Sequence, residues 1–568
     1  MERLFEVTSK AERLAARRRV FAQQDGLALL PLLASFTRRR VFEALAEGID
    51  VRELVRTFSV RRGYLHLALR AFASSGWLTG WSAPQTKADL EAPAVVKLTA
   101  DGRALAQMLA SMGPTLDRVE AFLAFSERMS AYLTTRQAAP DGVATIAEFT
   151  ALRDEAFGLA EVDPEHAHVR ARLLGLLEGG LAAPIAVSLA RHGLVRMQGS
   201  GRDVAVDDEV SLSGLSPTCR RRVRDEVLPA LSSLGWLDAQ TQRLTGQGRA
   251  TVFFAPAYAV TLSYLPLLRR AEELLFRNGG FVAMFPPTAQ GHETHVDRRL
   301  NIWGSGGSHG LYFAKVDEIV TALFEREDYP RAVCDTGCGD GTFLRHIAEV
   351  LRDRLSWDFF SKPVAFIGAD LNLASRDKTR ETLAAGGVPH AHVVDPPIDI
   401  ADPDALDRGI RALGIAGPDG VLGAADALHT NSMLIHNRIW RATPGTPPSS
   451  TDGAFVEPGG DLVTGQALAA DLVAFMQRWS PYVSRYGWLF IELHTLPSTV
   501  VAEDPGRTPT IGYDLTHGFS NQYTVERAEL LRAATLAGLE AGPEAYQALF
   551  PSGALARVSI TYLQGARG

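Results

Sequence analysis

Short apolar runs that each end in an acidic or other polar residue recur through the C-terminal half of this chain. The five runs are Val333–Asp335, Val364–Asp370, His392–Asp395, Gly420–Asp426 and Gly487–His494. Runs of this length between helical stretches are typical of buried strands. Because the parallel strands of an open sheet end at one edge, where ligands bind, the pattern predicts an α/β sheet with these polar residues along its ligand edge.

The first run leads into a glycine-rich turn, Gly337–Gly341, that opens a predicted helix. A dinucleotide-binding loop has the spacing G-x-G-x-x-G, so that its backbone amides meet a pyrophosphate. Here Gly341 comes one position early, and Asp335 and Asp340 place negative charge where a phosphate would be repelled. S-adenosylmethionine (SAM) carries an ammonium and a sulfonium but no phosphate, so acidic residues beside this turn suit it.

From about residue 330 to the C-terminus, the motifs resemble those of the class I SAM-dependent methyltransferases. The glycine-rich turn matches their first motif, and an acid at the end of the second strand is placed to accept both ribose hydroxyls. The resemblance also implies an acid for the adenine amine and another at the strand end nearest the methyl group. The cofactor-binding residues predicted in this way are Asp335, Gly337, Gly339, Asp370, Leu371, Asp395 and Asp426.

Two further segments, 296–309 and 515–523, resemble parts of the methyltransferase domains in apratoxin-type polyketide synthase loading modules. Those domains methylate carbon on acyl groups held by a carrier protein. The resemblance therefore implies C-methylation of a carrier-bound acyl or polyketide intermediate in secondary metabolism. The alternatives are O- or N-methylation of a free small molecule, and a SAM-sensing, DNA-binding regulator.

The N-terminal half contains an internal repeat. Leu69–Leu78 followed by Lys97–Ala104 is echoed by Leu228–Leu237 followed by Arg243–Ala250, and both copies contain Gly-Trp-Leu. Each copy predicts a helix, a Gly-Trp-Leu strand, a turn, and a second strand that leads into another helix. This is the element order of a winged helix.

The predicted fold class is therefore α/β: a Rossmann-like class I methyltransferase sheet, preceded by a helical region with two winged-helix-like repeats. The glycine-rich segment 304–309 is expected to be a flexible turn that covers the bound SAM. The predicted domains are an N-terminal region at 1–255 with repeats near 28–110 and 180–255, a helical connector or lid at 256–330, and the SAM-binding domain at 331–568.

A winged helix can also bind DNA, and Arg38–Arg40 together with Arg61 and Arg62 offer phosphate contacts. However, the formal net charge of −7 argues against a dedicated nucleic-acid binder. Many small-molecule methyltransferases resemble this arrangement and use an N-terminal winged helix for dimerisation or for covering the substrate. We therefore expect the repeats to form a homodimer or to enclose the substrate, with no nucleic-acid partner.

Size and composition limit the class of protein further. At 568 residues, the chain exceeds the roughly 250–300 residues that one core usually serves, so more than one domain is expected. The three cysteines, Cys219, Cys334 and Cys338, cannot form a disulfide framework, which suits a reducing compartment. Since no apolar run is long enough to span a bilayer, we expect a cytoplasmic protein with no membrane partner.

Methyl transfer often needs a base that removes the acceptor's proton, and histidine titrates near neutral pH. His494 and His429 follow predicted strands, and His517 lies in a polar segment. Glu492 is expected to orient His494 and raise its pKa, because the two side chains share one face of a strand. His436, placed farther along a presumed helix, is less favoured.

A divalent metal, iron or manganese, is a further possibility for the chemistry. A Lewis acid that holds the enolate oxygen would ease proton removal from a carbon beside a thioester, and the apratoxin-type family includes metal-dependent members. The candidate ligands are His429, His494, His517 and Gln522.

Overall fold

The structure, a computed structural model, is mostly helical up to residue 324 and is then organised by a mixed eight-stranded sheet. This is the predicted α/β class. The residues that the structure describes are 9–134, 145–159, 163–193, 196–198, 203–205, 215–277, 279–289, 293–306, 309–417 and 420–566.

The N-terminal region is built from helices with two small antiparallel sheets between them. The helices are α1 (Lys10–Arg38), α2 (Val41–Glu47), α3 (Val51–Phe58), α4 (Arg62–Ser74), α5 (Lys87–Glu91), α6 (Ala100–Ser111), α7 (Gly113–Thr134), α8 (Ile146–Leu159), α9 (Ala167–Arg191), α10 (Pro217–Arg222), α11 (Leu228–Ser233) and α12 (Gly246–Phe253). The strands are β1 (Ile49–Asp50), β2 (Leu78–Thr79), β3 (Val95–Leu98), β4 (Arg196–Gln198), β5 (Asp203–Ala205), β6 (Leu237–Asp238) and β7 (Arg243–Leu244). They pair in the orders β1-β3-β2 and β4-β5-β7-β6.

The two copies of the internal repeat share the same helix-capping hydrogen bond. In each copy a threonine caps the helix after the second strand: Thr99 accepts the N–H of Gly102 at 3.0 Å, and Thr245 accepts that of Gly248 at 3.1 Å. A β-carbon on either glycine would lie 2.1 or 2.2 Å from the carbonyl oxygen of the Gly-Trp-Leu tryptophan. Both copies therefore need glycine for the helix to pack on the strand. The second copy has the predicted order of helix, strand, turn, strand and helix, whereas in the first copy the short helix α5 lies between the two strands.

Two long helices, α1 and α9, form the centre of the N-terminal region. They cross so closely that a β-carbon on Gly26 would lie 2.1 Å from the carbonyl oxygen of Leu176, and one on Gly179 would lie 2.0 Å from that of Gln23. Among the described residues, the helical segment 164–191 is the one span long and apolar enough to cross a membrane, but 83% of its most apolar window is buried inside the protein. It is a core helix.

Six helices connect the N-terminal region to the sheet. They are α13 (Ala255–Leu262), α14 (Leu265–Leu268), α15 (Ala271–Phe276), α16 (Phe281–Met284), α17 (Arg298–Gly306) and α18 (His309–Phe324). The predicted flexible turn at 304–309 is wrong for Gly304–Gly306, which are helical, while 307–308 lie outside the described residues. A β-carbon on Gly304 would lie 2.9 Å from the carbonyl oxygen of Pro256 on α13, so this glycine permits close helix packing.

The C-terminal domain contains the remaining elements. Its strands are β8 (Ala332–Thr336), β9 (Ala365–Ala369), β10 (Ala391–Val393), β11 (Ala416–Gly417), β12 (Gly420–Val421), β13 (Ala427–Ser432), β14 (Phe455–Val456), β15 (Leu462–Val463), β16 (Trp488–Leu493), β17 (Leu539–Ala541), β18 (Gln547–Phe550) and β19 (Val558–Gly565). Its helices are α19 (Thr342–Leu355), α20 (Leu373–Ala385), α21 (Pro403–Ala412), α22 (Gly465–Val483), α23 (Ser498–Glu503), α24 (Thr510–Phe519) and α25 (Arg527–Leu536).

The sheet has the order β10-β9-β8-β13-β16-β19-β17, with β18 also paired to β19. The strands from β10 to β16 are parallel, and β19 runs antiparallel to β16. The order reverses between β8 and β13, because the first strand in the chain lies inside the sheet. Such a reversal leaves a crevice at the carboxyl ends of the strands, which is where open α/β sheets bind ligands.

The N-terminal region packs directly on this domain. Helices α1 and α4 both contact α24, and the N–H of Gly512 donates to the buried Asp25 carboxylate at 2.7 Å. The rings of Tyr64 and Phe519 stack with centroids 5.5 Å apart. Helix α4, which precedes the Gly-Trp-Leu strand of the first repeat, is therefore buried along most of its length.

We expect Gly179→Ala to destabilise the protein by about 1 to 3 kcal/mol, because the new methyl group must push α1 and α9 apart. Gly175→Ala is the matched control, since it lies in the same helix with no heavy atom within 4 Å of the new β-carbon. That change should leave stability unchanged or raise it by about 0.5 to 1 kcal/mol. Thermal unfolding compares the two variants, and equal stabilities would contradict the crossing geometry.

Candidate active site

The turn after β8 forms the first part of the ligand edge. Gly337, Gly339 and Gly341 have φ angles of 74°, 56° and 77°, in the left-handed region that glycine adopts without steric cost. The N–H of Gly337 donates to the carbonyl of Ala369 at 2.7 Å, which ties the turn to the end of β9. The three glycines therefore let the turn fold back against the neighbouring strand.

Asp335 lies at the base of this turn, buried in the sheet. The hydroxyl of Thr430 donates to its carboxylate at 3.0 Å. Burial, together with the nearby carboxylates of Asp370 and Asp340, raises the pKa of Asp335 to about 8, although the hydrogen bond from Thr430 lowers it. A cationic ligand would relieve this cost, because it favours the ionised form.

Asp370 follows β9 and faces the same turn. Its carboxylate accepts the N–H of Gly339 at 3.1 Å and that of Asn372 at 2.8 Å, and burial raises its pKa. Leu371 beside it is 54% exposed. Asp370 therefore lies at the ligand edge between the turn and the strand end, and its assignment to the ribose hydroxyls stays a prediction.

Asp395 follows β10, but its side chain is 87% exposed and forms an ion pair with Arg380. It would have to leave that partner to accept an adenine amine. Its assignment as the adenine acid stays a prediction.

Two of the predicted ligand-edge residues, Asp426 and His429, lie elsewhere. The chain from 420 forms the short strand β12 and a 3₁₀ turn at Ala424–Asp426, so the sheet strand β13 begins only at Ala427. Asp426 thus precedes β13, at the edge of the sheet opposite the ligand. His429 lies within β13, where its Nε2 is 2.7 Å from the carbonyl oxygen of Ala424 and its ring is 5.0 Å from that of Trp479. Both residues were assigned to the ligand edge because the sheet strand was predicted at 420–426 instead of Ala427–Ser432.

The chain that leaves β13 at the ligand edge forms the 3₁₀ turn Ile435–Asn437, which contains His436. Its Nδ1 forms a short hydrogen bond with the Glu492 carboxylate at the end of β16. The same carboxylate accepts the backbone N–H groups of Ile435 and Leu493, both at 2.7 Å. Although burial raises the pKa of Glu492, the charge and hydrogen bond of His436 lower it overall. With the proton on Nδ1, the Nε2 of His436 carries a lone pair.

This histidine–glutamate pair lies next to the glycine-rich turn. A β-carbon on Gly337 would lie 2.5 Å from Cδ2 of Leu434, two residues before His436. The segment after β13 therefore packs on the turn that is predicted to hold SAM. Sequence reasoning missed the pair because Glu492 and His436 are 56 positions apart and because the end of β13 was misplaced.

His494 follows β16, as predicted, but its surroundings differ from the expectation. Its Nδ1 is 3.2 Å from the carbonyl oxygen of Val525, and its Nε2 is 2.8 Å from the Ser559 hydroxyl. Burial lowers its pKa to about 4 despite the nearby charge of Glu492. The predicted rise in pKa is therefore wrong, and Glu492 orients His436 in place of His494.

His517 lies on α24, with its ring 5.1 Å from that of His436 and tilted 80° to it. Its Nδ1 lies 2.5 Å from the carbonyl oxygen of Tyr513, and burial lowers its pKa to about 3. The N–H of Gln522 donates to the His517 carbonyl at 2.8 Å, and its side-chain amide donates to the Tyr264 hydroxyl at 2.9 Å. The connector helices thus reach the same cluster as the sheet.

The four predicted metal ligands do not form one site. His429 is inside the sheet, and Nδ1 of His517 lies against the carbonyl oxygen of Tyr513. Both ring nitrogens of His494 have hydrogen-bond partners in the protein, and the Gln522 side-chain amide donates to Tyr264. Within the described ranges, no three His, Cys, Asp or Glu side chains are grouped to hold a metal ion. The four residues therefore do not fit the predicted iron or manganese ion.

Three family models match separate parts of the chain. Residues 293–561 match the AprA MT2-like domain, residues 16–80 match the AprA N-terminal domain, and residues 178–278 match the AprA winged helix domain. No curated protein matches the chain. The C-terminal match spans the glycine-rich turn and the histidine–glutamate pair.

Several solved methyltransferase structures are similar to the chain at low identity. The mitomycin 7-O-methyltransferase MmcR is 12% identical, with 71% of this chain and 99% of that chain covered and a TM-score of 0.38. The CurJ carbon methyltransferase is 14% identical, with 78% and 99% covered and a TM-score of 0.31. An O-methyltransferase family 2 protein from Planctomyces limnophilus, in complex with apigenin, is 10% identical, with 97% and 96% covered and a TM-score of 0.35.

We expect the affinity for SAM to rise as the pH increases from about 6 to 8. Burial raises the pKa of Asp335 to about 8, and the cationic ligand favours its ionised form, so binding below this pH releases a proton. Affinity then changes by up to about tenfold per pH unit. Calorimetry in buffers of different ionisation enthalpy measures the released proton. Asp335→Asn should bind more weakly and release fewer protons, whereas equal proton release by both proteins would contradict the assignment.

Asp370→Ala should weaken SAM binding by about 1.5 to 3 kcal/mol, the usual contribution of a hydrogen bond to a charged group. Glu381→Ala is the control, because that exposed carboxylate on α20 pairs with Lys378 on the helix surface. Titration calorimetry at one pH compares the two variants. Wild-type affinity in Asp370→Ala would mean that another group binds the ribose.

Proposed function

We propose that this chain, a SAM-dependent methyltransferase with an AprA MT2-like domain, methylates carbon in an acyl group held by a carrier protein. The observation that supports the proposal most is the buried pair of His436 and Glu492 beside the SAM turn. Carbon next to a thioester is a weaker acid than a phenol or an ammonium group. A carboxylate-backed base is therefore needed most when the acceptor is carbon.

In the proposed reaction, Nε2 of His436 takes the proton from the acceptor carbon. Glu492 holds the imidazole in the tautomer with the proton on Nδ1 and stabilises the imidazolium that forms, as a carboxylate does in other histidine–acid pairs. The resulting carbanion then attacks the methyl carbon of SAM in line with the C–S bond, so that a C–C bond forms while the C–S bond breaks and S-adenosylhomocysteine leaves. This step requires both reactants to be held in place. The low exposure of His436, 6%, keeps bulk water away from the base.

The N-terminal repeats are proposed to enclose the substrate, with no nucleic-acid partner. The arginines that suggested phosphate contacts are engaged within the chain: Arg38 pairs with Glu120 and Glu272, and Arg39 pairs with Glu272. Helix α4, which would face DNA in a winged helix, is buried against the methyltransferase domain. A homodimer and a cytoplasmic location remain proposals, the latter supported by three cysteines that are all buried.

The direct test is incubation of SAM and the protein with carrier proteins that bear different acyl groups, followed by mass spectrometry of the acyl chain. We expect the mass of one methylene group to be gained, with the label of a methyl-labelled SAM on carbon. Methylation of oxygen or nitrogen in free small molecules, with none on any carrier-bound acyl group, would overturn the proposal in favour of the second candidate function.

His436→Ala should reduce single-turnover methyl transfer by roughly 10² to 10⁴, the usual scale for losing a general base, while SAM binding is kept. Glu492→Gln keeps the shape of the pair without its charge and should cause a smaller loss. His494→Ala serves as the comparison, because that residue was the predicted base. A full rate in His436→Ala together with a large loss in His494→Ala would return the role to His494.

A further inference from the structure

The side chain of one arginine in the N-terminal region is buried against residues of the methyltransferase domain. Arg70, on α4, is 2% exposed, and it donates to the carbonyl of Asp452 at 2.6 Å. It also donates to the hydroxyl of Thr495 and to the carbonyl of Leu496, both at 2.8 Å, and forms a short ion pair with Asp514. Every one of these acceptors belongs to the C-terminal half of the chain.

The ion pair holds the helix that carries His517. Asp514 lies three positions before His517 on α24, and the carbonyl that faces the Nδ1 of His517 belongs to Tyr513. The carboxylate of Asp514 also accepts the Thr495 hydroxyl at 2.7 Å and Nη1 of Arg557 at 3.3 Å. A shift of Asp514 would therefore move the His517 ring with the backbone of its helix.

Two other contacts join the N-terminal region to α24. A β-carbon on Gly518 would lie 2.5 Å from Leu67 on α4, and Asp25 on α1 binds the N–H of Gly512. Helix α24 is thus held from the N-terminal side, while its His517 ring packs edge-on against His436. The position of this ring is set by both halves of the chain.

We propose that Arg70 is a positioning residue for methyl transfer: through Asp514 it fixes α24, so that His517 packs against His436 and keeps the base in place. This inference rests on the proposed function, since it takes His436 as the base. In the proposal the first winged-helix repeat completes the active site, because its buried helix supplies a cation to the methyltransferase domain.

The test compares Arg70→Gln, Arg70→Lys and Arg18→Gln. Arg18 also pairs across the two halves, with Asp504, but it is 60% exposed and exposed pairs contribute little. Arg70→Gln should lower kcat about 10- to 100-fold, the scale of a small misplacement of a reacting group, and leave SAM affinity unchanged. Arg70→Lys should recover part of the rate, since it keeps the charge but loses the planar fork. Arg18→Gln should match the wild type.

A double-mutant cycle separates positioning from general destabilisation. If Arg70 acts through His517, then Arg70→Gln should cause no further loss of kcat in a His517→Ala background. Independent, multiplicative losses would overturn the proposal. Because Arg557 still pairs with Asp514 when Arg70 is replaced, the variant keeps one ion pair on α24.

Histidine-selective ¹⁵N NMR of the protein with SAM alone gives a readout that needs no acceptor. Arg70→Gln should move the ring signals of His517 and His436, whereas Arg18→Gln should not. Unchanged ring signals in Arg70→Gln would overturn the positioning role. Failure of the proposed function would appear differently, as a full rate in His436→Ala whatever the NMR result.

Discussion

The rest of the site depends on the buried carboxylate of Glu492. A carboxylate taken out of water must find hydrogen-bond donors, because an unpaired buried charge is very costly. Glu492 finds them in the backbone N–H groups of Ile435 and Leu493 and in the ring of His436. These donors follow or end two neighbouring parallel strands, β13 and β16, so one side chain fixes how the chain leaves both.

This constraint has consequences on each side of the pair. Toward β8, it brings Leu434 against Gly337, so the segment that carries His436 borders the turn predicted to bind SAM. Away from the sheet, the His436 ring lies 5.1 Å from the ring of His517 on α24. The N-terminal helices α1 and α4 pack on α24, and α4 is buried there. In the proposed function, this packing encloses the substrate, and the first repeat serves the active site instead of binding DNA.

The sequence predicts the fold class and the position of the glycine-rich turn at the ligand edge of the sheet. Asp335, Gly337, Gly339 and Asp370 lie in strands and turns whose apolar pattern is local, and their placement at the ligand edge follows from that pattern. The acceptor side could not be predicted in the same way. Strand β13 is buried between two neighbours yet contains His429, Thr430 and Asn431, whose polar groups bond to Ala424, Asp335 and Trp488. Such a strand has no apolar run, so its bounds were misplaced and Asp426 was assigned to the wrong edge. The pairing of Glu492 with His436 depends on strand order, which a local pattern does not contain.

A crystal structure of the protein with S-adenosylhomocysteine and an unreactive analogue of the acyl acceptor would test the proposed site directly. The proposed arrangement predicts that the sulfur lies between the glycine-rich turn and the His436 ring. It also predicts that the acceptor carbon is about 3 to 3.5 Å from the position of the transferred methyl group and that its proton points to Nε2 of His436. It would be contradicted if the sulfur faced Asp426, or if the proton of the acceptor carbon lay beyond hydrogen-bond reach of His436.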